Sequence, residues 1–298
     1  MNSTNSGQIL EELIALLPGI PEAHSPKTPL HGFLNRVALA EAERDFSSQE
    51  TALSCKGLLK DLKFPFHQMG AITSVHLFGV DELIIFSFYW TNRKRYKKVL
   101  DLGANIGLHS IMMSRCGYDV RAYEPDPKTY EVLKRNLKLN GCSGVEAINA
   151  AVSTSTGEME FVRVLGNMTG SHLAAAKAAP YGELEKFSVK VEEFKPLLRW
   201  ADLCKIDVEG HEKEILLTTT AEDWSKTDAL LEVGSEENAR AIFAHFAKMP
   251  KIALFAQKNS WKQIRTLDDM PTSYRDGSLF ITAKSAVPWS GELSVENC

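Results

Sequence analysis

The run Asp101-Leu102-Gly103-Ala104-Asn105-Ile106-Gly107 puts an acid, two glycines and an amide side chain into one turn, directly after the apolar stretch from Val99. Such a turn lets a ligand approach the backbone and leads into a helix N-terminus. One helix and turn later comes Val120-Arg121-Ala122-Tyr123-Glu124-Pro125-Asp126, a second apolar strand ending in an acid. A carboxylate there can accept hydrogen bonds from both hydroxyls of a ribose. The chemistry on offer is nucleoside binding. A G-x-x-x-G turn alone is weak, but Asp101 before it, Asn105 within it and Glu124 beyond it make a specific set.

A dinucleotide site would use G-x-G-x-x-G, whose second glycine lets the backbone meet a pyrophosphate. Here Asn105 holds that position and Gly107 arrives one residue early. S-adenosylmethionine (SAM) carries no pyrophosphate and suits the turn better. Transfer of its methyl asks that an acceptor be held close, aligned and desolvated, with a base if the acceptor is a hydroxyl. Candidate bases are Asp207, Glu209, His211, Glu232 and His172. His211 lies one helical turn after Asp207, and histidine titrates near neutrality. Glu209 could simply serve a helix N-terminus, and His172 reads as a loop residue. Asp207 and Glu232 end neighbouring strands and could together hold Mg²⁺, but nothing else in the spacing demands a metal, and none is expected.

Three segments, Asp101–Gly107, Tyr123-Glu124-Pro125-Asp126-Pro127 and Lys205-Ile206-Asp207-Val208-Glu209-Gly210-His211-Glu212, occur in this order. Asn149-Ala150-Ala151-Val152, Thr169-Gly170-Ser171-His172-Leu173 and Leu230-Leu231-Glu232-Val233 accompany them. Together they resemble the FkbM family of SAM-dependent methyltransferases over roughly Val80 to Ala283. The resemblance implies a Rossmann-like class I methyltransferase fold, a seven-stranded, mostly parallel sheet with its last strand antiparallel. It implies that Gly103, Ala104, Asn105 and Gly107 line the methionine and ribose. Asp101 would fix the methionine amino group, Glu124 the ribose hydroxyls, and Asn149 and Ala150 would flank the adenine. Asp207 would face the reaction centre, with His211 and Glu232 as further catalytic candidates. His172 departs from the family, which often has a small hydroxyl residue there. The implied reaction is O-methylation of a hydroxyl on a sugar, lipid-linked glycan or secondary metabolite. An NAD-dependent oxidoreductase and a SAM-binding module without turnover remain as alternatives.

The elements that must position these residues can be read from periodicity. From Val80 onward strands alternate with helices, which means an α/β sheet covered on both faces. Strands are expected at Val99–Leu102, Val120–Tyr123, Val145–Asn149, Leu203–Asp207, Ala229–Val233, Ile252–Ala256 and Ser278–Thr282. Asp81 should cap a helix through Trp90. Thr156-Gly157 reads as a hairpin opening a polar insertion. Residues 1–79 read as a helical accessory region, a cap or lid, and 80–298 as the methyltransferase domain. In the former, Ile9, Leu10, Leu13, Ile14 and Leu17 form one apolar stripe, Leu30, Phe33, Leu34, Val37 and Ala38 a second, and Gln49 to Leu62 a third, shorter helix.

Composition narrows the class. The chain has 298 residues, a formal charge of −4 and 44% hydrophobic residues. That balance does not favour a nucleic-acid partner, and Arg93–Lys98 is the one basic run. Five scattered cysteines argue against a disulfide framework or zinc site. The greasiest run, Leu83–Trp90, is far too short to cross a bilayer. A cytoplasmic enzyme with a small-molecule or glycan acceptor is expected, and the apolar N-terminal helices could pair between subunits.

Overall fold

The computed structural model describes residues 6–47, 53–70, 72–165, 170–174 and 183–289. Its centre is a twisted sheet. β1 (Lys98–Leu102), β2 (Asp119–Tyr123), β3 (Val145–Ile148), β8 (Leu203–Ile206) and β9 (Asp228–Leu231) run parallel, in the order β3-β2-β1-β8-β9. β12 (Leu279–Thr282) joins antiparallel to β9, followed by β10 (Ala253–Ala256) and the two-residue edge strand β11 (Lys262–Gln263). These strands are short apolar runs because both faces are covered. Leu100 and Leu102 pack on one side with Phe194, Ile215, Trp224 and Ile242. Val99 packs on the other with Ile111, Met112 and Leu133.

The chain leaves β1 toward β2 and β3, then returns to lay β8 on β1's other side. The ends of β1 and β8 therefore form the topological switch point, where open α/β sheets bind ligands. Helices α4 (Leu108–Arg115) and α5 (Pro127–Leu139) follow β1 and β2. A smaller sheet stands beside this point: β4 (Ala151–Ser153), β7 (Leu184–Glu193), β5 (Gly157–Val164) and β6 (His172–Leu173), in that order across the sheet. The expected hairpin at Thr156-Gly157 is corrected here. β4 and β5 do not pair with each other but flank β7, the first parallel and the second antiparallel.

N-terminal helices α1 (Gln8–Leu16) and α2 (Pro29–Phe46) pack on α3 (Val80–Thr91). Leu10, Ile14, Phe46 and Phe78 share one buried cluster with Phe86, Phe88 and Phe280. Three local expectations are corrected. Residues 53–62 form turns rather than a helix, because the Glu11 carboxylate takes the N–H groups of Leu58 and Leu59 and Gly57 is left-handed (residues 48–52 lie outside the described ones). Gly79, not Asp81, occupies the N-cap of α3, while Asp81 accepts from Gln257 Nε2 at 2.6 Å and pairs with His31. In α2, Leu30 and Phe33 face outward, and His31, Leu34, Ala38 and Ala42 face in. Among the described residues no helix is long and apolar enough to cross a membrane.

Candidate active site

The glycine turn is built by close backbone approach. Gly103 has φ +77°, and a Cβ there would lie 1.8 Å from the Asp207 carbonyl oxygen. The N–H groups of Gly103 and Ala104 both donate to the Tyr123 carbonyl, at 3.0 and 2.9 Å, and that of Asp207 to Leu102, at 3.0 Å. Asn105 is left-handed, at φ 50°, a conformation that asparagine tolerates better than most residues. Its N–H is thereby aimed at Glu124 Oε2, 2.9 Å away, while the Asp126 N–H donates to Oε1 at 2.9 Å. The buried Glu124 is thus oriented by two backbone donors. Burial pushes its pKa up to about 8; the Asp126 and Asp101 charges add to this and the two N–H bonds oppose it.

Asp101 lies beneath the turn, fully buried, with Oδ2 accepting from Ser110 Oγ at 2.5 Å. Its Oδ1 lacks a hydrogen-bond partner among the described residues, and so does the buried Asn105 Oδ1. Lys205, opposite Asp101 on β8, places Nζ 3.8 Å from that Oδ1 and 3.1 Å from Asp207 Oδ2. Burial works against the lysine charge, yet Asp207, Asp101 and Glu82 hold its pKa above the usual lysine range.

Two cavities meet here. The wider is an open cleft of about 640 Å³ between the turn, the Glu124–Asp126 segment, Ala150–Val152 and Asp207–Glu209. The small sheet supplies its far wall through Phe161, Ser171, His172 and Leu173. Arg163 on β5 fastens that sheet down: Nε and Nη2 reach the two Asp126 oxygens at 2.5 and 2.6 Å. The narrower cavity, about 310 Å³, lies over the ends of β8, β9 and β12, lined by Glu82, His109, Lys205, Asp207, Glu232 and Ser278 among others. Asp207 borders both.

Residues 101–249 match the model of the FkbM methyltransferase domain. The chain belongs to the FkbM methyltransferase family. The strand order just described is that of the class I methyltransferase fold, and the family uses SAM. This FkbM chain is 33% identical over 159 residues to "Methyltransferase sdnD" of Sordaria araneosa, covering 42% of this chain and 61% of that protein. It is 29% identical over 128 residues to "Hexuronic acid methyltransferase AglP" of Haloferax volcanii, covering 39% of this chain and 47% of that protein. The chain thus spans less than two thirds of these relatives. Among solved structures, an O-methyltransferase of Bacillus cereus in complex with SAH aligns at 10% identity and a TM-score of 0.37, over 66% of this chain and 78% of that one.

Of the sequence-derived candidates, Gly103, Asn105, Glu124, Ala150 and Asp207 line the wide cavity, and Asp207 and Glu232 the narrow one. Ala104 and Gly107 shape the turn, Gly107 as the left-handed N-cap of α4. Two candidates sit elsewhere. Asn149 Nδ2 donates to the Glu124 and Pro125 carbonyls at 2.9 and 3.0 Å, so it clamps that loop and lines shallower surface outside the cavity. His211 lines neither cavity: its Nε2 meets Ser153 Oγ at 2.8 Å, because the 207–211 turn swings the ring toward β4. Glu209, left-handed at φ 54°, and the buried His172 do line the wide cavity. Lys205, Glu82 and His109 join the site without a sequence signal of their own, except that Lys205, two before Asp207, shares its strand face.

Three acids with raised values set a pH dependence. Burial raises Glu124 to about 8, Glu212 to about 7, and Glu232 well above the usual range. Each holds a proton in the folded state after the unfolded chain has lost it, so stability falls as pH rises from about 4.5 through the folded pKa. Buried histidines such as His24 and His211 have lowered values and oppose this only below about 6.5. Between pH 6.5 and 8.5 the ligand-free protein should therefore lose stability. Glu124→Gln should reduce that loss by about 2 kcal/mol, read from urea unfolding at both pH values. An equal loss in wild type and variant would refute the raised Glu124 value.

Proposed function

We propose that this chain transfers the methyl group of SAM to a hydroxyl oxygen of a small molecule, sugar or glycan. Residues 80–298 would be the catalytic domain and residues 1–79 a helical cap. The observation that carries the reading is Glu124, oriented by the Asn105 and Asp126 N–H groups at the edge of a cavity that ends at Asp207. Glu124 would accept the ribose hydroxyls, and Ala150 would flank the adenine. The unpartnered Asp101 Oδ1 and Asn105 Oδ1 suit the donor groups of the methionine tail, since buried polar atoms seldom stay unpaired. Gly103 would let that tail pass over the backbone toward Asp207. SAM supplies a methyl already activated on a sulfonium. The chain need only hold the acceptor in line and dry.

The relatives' names support methyl transfer, and one of them names a hexuronic acid. An NAD-dependent oxidoreductase is disfavoured by Asn105 in the turn. Incubation with methyl-labelled SAM and a fractionated cell extract tests the proposal. Label in a carbohydrate or small-molecule fraction is expected. SAM binding without label in any fraction would leave a binding module instead.

A further inference from the structure

The narrow cavity beyond Asp207 contains a chain of groups that the methyl-transfer reading does not use. Glu82, in the first turn of α3, receives His109 Nε2 on its Oε2 at 2.8 Å. His109 Nδ1 meets the Tyr89 hydroxyl at 3.0 Å. Tyr89 is fully buried, and among the described residues His109 is the only hydrogen-bond partner of that hydroxyl. To leave no buried O–H unpaired, Tyr89 donates and Nδ1 accepts. The remaining proton of the ring then sits on Nε2, and His109 donates it to Glu82. The Phe86 and Tyr89 rings, with centroids 5.0 and 5.9 Å away, fix the imidazole in this orientation. Glu82 Oε1 has no hydrogen-bond partner among the described residues, and the side chain is 28% exposed.

The other acid–base candidates in or near this cavity are already engaged. Asp207 is ion-paired with Lys205 at 3.1 Å. Burial pushes Glu232 well above the usual carboxylate range, which disfavours its charged form. His211 is held by Ser153 outside the cavity. Lys205, the one cation among the lining residues, is committed to Asp207 and faces Asp101. Among the described lining residues no cation is left to receive an acceptor's carboxylate.

We propose that Glu82 takes the proton of the acceptor hydroxyl, and that the acceptor is a neutral hydroxyl compound seated in the narrow cavity, with His109 and Tyr89 as positioning residues. This rests on the methyl-transfer reading above. As the acceptor oxygen bonds to the methyl carbon, the carbon–sulfur bond breaks with its pair staying on sulfur. The hydroxyl proton passes to Glu82 Oε1, leaving a methyl ether, S-adenosylhomocysteine and a neutral Glu82.

The test uses the full chain, methyl-labelled SAM and the extract fraction that the wild type labels. Glu82→Gln should bind SAM within about twofold of wild type by titration calorimetry, yet transfer label about 10²-fold more slowly. His109→Ala should slow label transfer with SAM affinity unchanged, and His109→Gln, whose amide can still donate to Glu82, should restore part of the rate. A merely structural role for His109 would give no such rescue. Wild-type label should survive mild alkali, as an ether does. Transfer by Glu82→Gln within a few-fold of wild type, or label released by alkali as methanol from an ester, would overturn the proposal. A wild type that binds no SAM would instead overturn the reading on which it rests.

Discussion

Gly103→Ala is expected to unfold at lower denaturant and to bind SAM at least about 10²-fold more weakly. The backbone there is at φ +77°, and the new Cβ would sit 1.8 Å from the Asp207 carbonyl oxygen. The left-handed conformation costs an L-residue about 1–2 kcal/mol. Relieving the clash forces the ends of β1 and β8 apart by about 1 Å, against the Asp207–Leu102 hydrogen bond, at a further cost of about 1–3 kcal/mol. A displacement of about 1 Å between binding groups is enough for a 10²-fold loss in function. Gly117→Ala supplies the control, since Gly117 has φ +82° but nothing within 4 Å of its Cβ position. It should show the backbone cost alone, with SAM binding intact. If the two variants lose the same stability and both bind SAM, the close approach of turn and strand does not shape the site.

Glu124→Ala carries the second large expectation. The change leaves the Asn105 and Asp126 N–H groups without their acceptor and removes the proposed ribose contact. SAM should bind more weakly by about 1–3 kcal/mol, roughly 5–150-fold. S-adenosylhomocysteine has the same ribose and should lose the same factor, so the ratio of the two affinities should stay constant. Unchanged affinity for both ligands would remove Glu124 from the site.

Much of this was legible in the chain because parallel strands buried on both faces read as apolar runs, and because helices of strong period stand between them. β1, β2, β8 and β9 appear within a residue or two of their expected ends. The glycine turn and Glu124 were legible because their chemistry lies within one strand–turn–helix–strand unit. What failed depends on distant pairing. Nothing between Gln49 and Leu62 announces that the Glu11 carboxylate will take the Leu58 and Leu59 N–H groups in place of a helix. The small sheet forms by β5 pairing with β7 across the stretch of chain that carries β6, a register that no local period encodes. Glu82 reads as an ordinary acid at a helix start, and only the packing of α3 against α4 brings His109 to it. His211 had the right distance from Asp207 along the chain but the wrong direction in space, because Glu209 and Gly210 turn left-handed between them.

The central claim is that the cavity between the glycine turn and Asp207 binds SAM, and titration calorimetry of the full chain with SAM and S-adenosylhomocysteine tests it most directly. One saturable site for each ligand is expected, weakened by Glu124→Ala. No heat of binding with either ligand at high micromolar concentration, alongside a fluorescence response to NADH, would contradict it.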